Sequence, residues 1–180
     1  MAIAASDLLI KMSVKTGSAG DSTSSTVAGS LGKYVSTTQV STTPLNNFFD
    51  DVSAAENVAS TVDYRCYFLH NNHATLTYYG AVVYLSAETA GGASMSIAVD
   101  NIAASAKGSS SAQADQIINE TTAPTGVGAF SSPVTVGSGL ALGDLAPGQV
   151  RAVWLKRTAS NSGAVDLDGF TIAFAGDSAA

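Results

Sequence analysis

The stretch VDYRCYFLHNNHATLTYYGAVVYLSAE, residues 62–88, decides how the chain is read. The two-residue period of a strand puts Val62, Tyr64, Cys66 and Phe68 on one face and Asp63, Arg65, Tyr67 and Leu69 on the other. Aromatic and apolar side chains dominate both faces and suit a pleated, half-buried surface. His70, Asn71, Asn72 and His73 read as the break, because Asn tolerates the positive φ that a hairpin turn requires. Residues 62–69 and 75–85 are therefore expected to be adjacent antiparallel strands. The second run carries Tyr79, Ala81, Val83 and Leu85 on one face and Tyr78, Val82 and Tyr84 on the other. A strand apolar on both faces is expected to be central, with a core on one side and another layer or subunit on the other.

Working outward, residues 7–15 alternate, with Leu8, Ile10, Met12 and Val14 against Leu9, Lys11, Ser13 and Lys15, which predicts a first strand. Residues 16–32, TGSAGDSTSSTVAGSLG, are too polar to bury much and read as a flexible arm or loop. Such an arm is expected to be mobile alone and ordered in an assembly. A weak strand over 33–43 ends at Pro44. Residues 45–52 suggest one helical turn with Phe48 and Phe49 anchored in the core, and 53–60 a linker. Further strands are expected over 94–100, 116–120, 133–136, 150–158 and 170–174. Residues 101–115 read as a surface excursion, 140–148 as a turn or corner, and 161–169 as a hairpin connection. About eight strands and no convincing amphipathic helix predict an all-β fold. It is expected to be a single antiparallel β-sandwich, Ig-like or jelly-roll, spanning 1–180.

Composition narrows the function. Hydrophobic residues make up 46% of the 180 residues, enough for a sizeable core. Charged residues make up 12%, about half the share of roughly 25% usual in soluble domains, so the surface is built of Ser, Thr, Asn, Gly and Ala. Such a surface is poorly protected against association. The net charge of −6 and the scattered basic residues argue against nucleic-acid binding. A single cysteine excludes an internal disulfide and a Cys-based zinc site, and Cys66 reads as a small buried hydrophobe. No run is long enough for a membrane helix, and MAIAASDLLIK lacks the features of a signal peptide, so synthesis in a cytoplasm without export by these routes is expected.

Each chemical candidate has a plainer reading. His70 and His73 lack a nearby carboxylate or thiolate ligand and read as polar turn residues. Asp166-Leu167-Asp168-Gly169 resembles the start of a calcium loop but lacks the distal Glu, and Asp-Gly before a strand is ordinary turn chemistry. Asp50, Asp51 and Glu56 read as helix-end or loop carboxylates. Lys156 and Arg157 read as a solvated strand end, with an ion pair to a neighbour as the alternative. Tyr64, Tyr67, Tyr78, Tyr79 and Tyr84 would make a carbohydrate platform only if several shared an exposed face. There is no G-x-S-x-G elbow and no phosphate loop. No catalytic, cofactor or metal residue is assigned.

Two segments resemble small structural proteins of tailed-bacteriophage virions. The first is LGKYVSTTQVSTTPLNNFFDDVSAAENVASTVDYRCYFLHNNHATLTYYGAVVYLSAE, residues 31–88. It is similar in its G-x-Y-V-S-T-T opening, its L-N-N-F-F-D-D-V turn and its Y-R-C strand ending in His/Asn. The second, residues 140–177, is LALGDLAPGQVRAVWLKRTASNSGAVDLDGFTIAFAGD. It is similar in its Pro-Gly, its aromatic-centred strand and its closing D-G-hydrophobic strand, although DLDG departs from an Asn-rich version. These motifs are structural and transfer no active-site residue. The resemblance implies a non-enzymatic virion protein, made in the host bacterial cytoplasm. A capsid decoration (cement) protein is expected first, binding the major capsid protein or other virion proteins as a homo-oligomer. A tail, neck or baseplate protein is the alternative, and a carbohydrate-binding module is the alternative of another class.

Overall fold

The strand that begins at Val62 runs two residues further than its pattern suggests, and this extension decides the topology. The structure is a computed structural model that describes residues 2–18, 20, 25–43, 45–163, 165 and 168–178. Nine strands are present among the described residues: β1 (Leu8–Val14), β2 (Tyr34–Gln39), β3 (Val62–Asn71), β4 (Tyr78–Glu88), β5 (Ser94–Val99), β6 (Ser105–Ala106), β7 (Leu140–Leu145), β8 (Gln149–Thr158) and β9 (Phe170–Asp177). They form two antiparallel sheets packed face to face. The larger has the order β2-β1-β3-β8-β5, with β6 also on β8, and the smaller the order β7-β4-β9.

The expected hairpin does not form. β3 pairs with β1 on one edge and β8 on the other, so both edges are filled before β4 begins. His70 and Asn71 stay in the strand, opposite Leu9 and Leu8. Asn71 is fully buried, and its Nδ2 donates to the carbonyls of Leu76 and Leu145, both at 2.9 Å. These bonds carry the chain across to the smaller sheet. The link between 161 and 169 is likewise no hairpin, because β8 and β9 lie in different sheets. From β3 onward, β4, β7 and β9 lie in the smaller sheet and β3, β5, β6 and β8 in the larger.

Two cores result. Between the sheets, Tyr67, Leu69, Ile97, Val153 and Leu155 meet Ala81, Val83, Leu85, Leu142 and Leu145, with Phe48 and Phe49 plugged in as expected. On the far side of the larger sheet, Cys66, Phe68, Ala152 and Trp154 are covered by Leu31, Ala114, Ile117, Val127 and Phe130. The excursion after β5 and the end of the 16–32 segment thus form a third layer. Ser30, Leu31 and Gly32 are buried in it. The Ser30 carbonyl accepts from Cys66 N at 2.8 Å, the Glu120 carbonyl accepts from Tyr64 N at 2.7 Å, and Gly32 N donates to Ser13 Oγ at 2.9 Å. Asp100 anchors this layer from beneath, accepting from Trp154 Nε1 at 2.9 Å and from Asp115 N at 2.7 Å. One side of the sandwich is closed where Ser131 exchanges backbone bonds with Ile97 and the Pro133 carbonyl accepts from Leu85 N.

Several local expectations are corrected. Residues 45–49 form bends and 50–52 are irregular, and the helix is α1 (Ala54–Ala59) in the supposed linker. Ser53 and Glu56 make its reciprocal capping box. Residues 116–120 and 133–136 are not strands: Gln116 makes a single bridge to Gly32, and Val136–Ser138 is a 3-10 turn. The expected corner at 140–148 contains β7. In β4, Gly80 (φ 55°) shifts the register. Tyr78 therefore turns inward at 6% exposure and Tyr79 outward at 42%, the reverse of simple alternation for Tyr79.

Candidate interaction surfaces

The residues with chemical potential are spread over the fold. His70 is a buried strand residue and not part of a turn. Burial, with help from Lys11 and Lys107, lowers its pKa to about 4, so it is neutral at pH 7. His73 lies in the crossover, where its Nδ1 accepts from Thr75 N at 3.1 Å and Leu76 N at 3.0 Å. That ring organises a turn. Among the described residues no group of three or more His, Cys, Asp or Glu is placed to hold a metal ion. Asp166 lies outside the described residues. Asp168 accepts from Ala93 N at 2.7 Å and packs on Gly92, where an added Cβ would come within 2.0 Å of its Oδ1. Cys66 is buried, and burial pushes its thiol pKa well up.

The acidic and basic candidates separate by function. Glu56 caps α1, and the Ser53 amide and hydroxyl hold its carboxyl below the usual range. Lys156 and Arg157 do not act as a solvated pair. Strand alternation turns Arg157 toward the sheet interface, where Nη2 meets Asp63 Oδ2 at 2.8 Å with both side chains buried. Beside it the fully buried Arg65 pairs with Glu120 and, at 3.4 Å, with Asp50. Arg157 also donates to the Asp50 carbonyl. The Phe49 ring lies between the two guanidinium groups, 4.8 Å from Arg157 Cζ and 5.5 Å from Arg65 Cζ. This cluster ties β3 and β8 to the 48–52 and 116–120 segments. Its signal in the sequence is Asp63 and Arg65 on the same face as Tyr67 and Leu69, two charges that an inward face must neutralise.

Above the cluster lies a groove of about 950 Å³, floored by Phe48, Phe49, Met95 and Phe170 and rimmed by Asp50, Asp51, Asn57, Ser160 and Asp168. The groove lining contains no His, Cys or Lys, and its two nearest ion-pair partners are already engaged with each other. Its described lining combines an aromatic floor with carboxylate, amide and hydroxyl groups.

The tyrosines do not gather into one platform. Tyr64 stacks edge-on to Phe130 on the outer layer, Tyr67 is buried with its hydroxyl donating to the Phe48 carbonyl, and Tyr78 and Tyr79 diverge at Gly80. Tyr84 faces out from the smaller sheet. There Val82 lies opposite Ala141 and Ala175, and Tyr84 opposite Ala173, a central set without a charge. Among the described residues no buried cluster covers this face as one covers the larger sheet, although the turn at Gly139 lies against Val82 and both Val82 and Tyr84 are half-buried. No helix among the described residues is long and apolar enough to cross a membrane.

Comparison of the chain with protein-family models, with curated proteins and with solved structures returns no match.

Proposed function

We propose that the protein is a non-enzymatic structural component of a tailed-bacteriophage virion, and specifically a decoration protein seated on the outer capsid shell as a homo-oligomer. The observation that carries this reading is the asymmetry of the sandwich. The larger sheet is covered on both faces, while the smaller carries on its outer side the uncharged set Val82, Tyr84, Ala141, Ala173 and Ala175, with Ala141 exposed and the others half-buried. A low-charge face of this kind gains free energy when it is covered, at about 25 cal/mol per Å² of apolar area. The virion-like motifs at 31–88 and 140–177 support the same class. A tail, neck or baseplate position would use the same face at a different copy number. A carbohydrate-binding module would need a shared aromatic platform, and the divergence of Tyr78 from Tyr79 and of Tyr64 from Tyr67 argues against one.

The test is decoration of particles by Val82→Lys and Tyr84→Lys variants that keep a β-sheet circular-dichroism spectrum. The reading expects loss of shell binding and of any gain in particle heat resistance. Shell binding at the parent level by both variants would overturn the assignment of the face. Quantitative mass spectrometry of purified particles separates the locations: hundreds of copies mean shell or tail tube, and three to twelve mean neck or baseplate.

A further inference from the structure

Two pairs of basic side chains in this acidic protein contrast. Arg65 and Arg157 are met by carboxylates. Lys11 and Lys107 are met by none among the described residues, yet the fold brings them toward His70 on the outer face of the larger sheet.

The convergence follows from strand register. Lys11 of β1 lies opposite Phe68 of β3, and His70 is two residues along on the same face, a diagonal neighbour. Lys107 arrives from the other side. Its amide donates to the Gly148 carbonyl at 2.9 Å, and Gly148 N donates to the Asn71 carbonyl at 2.8 Å, next to His70. The Lys107 stem then lies across Gly20, where an added Cβ would come within 2.5 Å of its Cγ. Lys11 is 8% exposed, and its ammonium has the Thr37 carbonyl at 3.3 Å. His70 is 2% exposed, and its Nδ1 has no hydrogen-bond partner. No carboxylate among the described residues pairs with either lysine, and the charges that act on His70 are both cationic. Burial of the Lys11 ammonium and of an unpartnered imidazole nitrogen, with the exposed Lys107 as a further cation beside them, is unfavourable unless something supplies a counter-charge.

We propose that Lys11, Lys107 and His70 form an anion-binding site that takes a single small oxyanion of the phosphate class. Two ammonium groups supply the charge. A neutral imidazole in its Nδ1–H form supplies a directed donor, and the Thr37 carbonyl orients the Lys11 ammonium so that its other N–H bonds are free. The bound ion would neutralise the junction between β1, β3 and the segment after β6, and so tie the third layer to the sheet.

The test uses the full chain, titrated with sodium phosphate at constant ionic strength and followed by NMR at the His70 ring. A saturable shift of the His70 signals is expected, together with a rise in Tm that chloride does not reproduce. Lys107→Ala should leave the fold unchanged, because this side chain is exposed, and should weaken phosphate binding by about tenfold, the effect of losing one charge-assisted contact. Lys11→Met, which keeps the apolar stem, should weaken it at least as much, and Lys156→Ala should change nothing. A linear, non-saturating shift, an equal response to chloride, or unchanged binding by Lys107→Ala would overturn the proposal.

Discussion

Replacing Arg157 by Met tests whether the buried ion pair holds the sandwich to its loops. The change removes the partner of Asp63, whose side chain is 3% exposed, and leaves a carboxylate buried without a cation. An uncompensated buried charge costs about 3–5 kcal/mol. The guanidinium over Phe49 contributes about 1 kcal/mol more. Asp50 is well exposed and adds little on this account. The single variant should therefore lose about 4–6 kcal/mol. For a domain of this size that lowers Tm by roughly 8–24 °C. The paired variant Asp63→Leu/Arg157→Met removes both charges and should return to within about 2 kcal/mol of the parent, the remainder reflecting the lost donor to the Asp50 carbonyl. Trp154 is fully buried and is the lone tryptophan, so its fluorescence reports urea unfolding directly. The double-mutant cycle is valid where the m-value stays constant. A loss under about 1 kcal/mol for Arg157→Met, or a double variant equal to the sum of the singles, would refute the reasoning.

Three further outcomes follow from the geometry. Gly32→Ala should abolish accumulation of folded protein, since Gly32 sits at φ 91° and its new Cβ would come within 1.9 Å of the Asp115 carbonyl oxygen; a normal yield of soluble, β-rich protein would contradict this. In phosphate-free buffer, His70 should make stability fall with acid: its folded pKa is about 4 against an unfolded value near 6.5, so the unfolded chain binds the extra proton between these limits. The contribution is complete above pH 6.5 and is lost as pH drops toward 4, on the order of 3 kcal/mol, and His70→Leu should flatten that limb of the urea-measured profile. Deletion of 16–32 should destabilise the sandwich, because it strips Leu31 from the outer core and Val27 from the inner one and leaves Cys66 N without its acceptor; an unchanged urea midpoint would show that residues 25–32 contribute nothing.

The strands with clean alternation were legible in the sequence, and so was the sandwich. β1, β3, β5, β8 and β9 stand where their patterns place them, because burial on a pleated face selects residues locally. Their partners were not legible. A turn-like cluster such as His70-Asn71-Asn72-His73 fits both a hairpin and a crossover, and the choice rests on whether β8 reaches β3, a long-range fact. The helix at Ala54–Ala59 was available in the Ser53–Glu56 spacing but is too short for a periodic signal. β7 was hidden because LALGDL contains a Gly at φ 80° and an Asp that serves Gly80 N at 2.8 Å. The cationic site around His70 could not be read either, since Lys107 joins it only through the placement of β6.

The crossover after β3 also governs when this chain can fold. Asp63 and its partner Arg157 are separated by 94 residues, and β3 has one edge unfilled until β8 is made. At about 5–20 residues per second, that interval lasts roughly 5–20 s on the ribosome. Throughout it a long strand rich in aromatic and apolar side chains is exposed with its donors and acceptors open to other nascent chains. Assembly of the larger sheet is therefore expected to be late and slow, as is usual for folds dominated by distant pairings. Growth temperature and chaperone supply, which act on that interval, should set the yield of this protein more strongly than its final stability does.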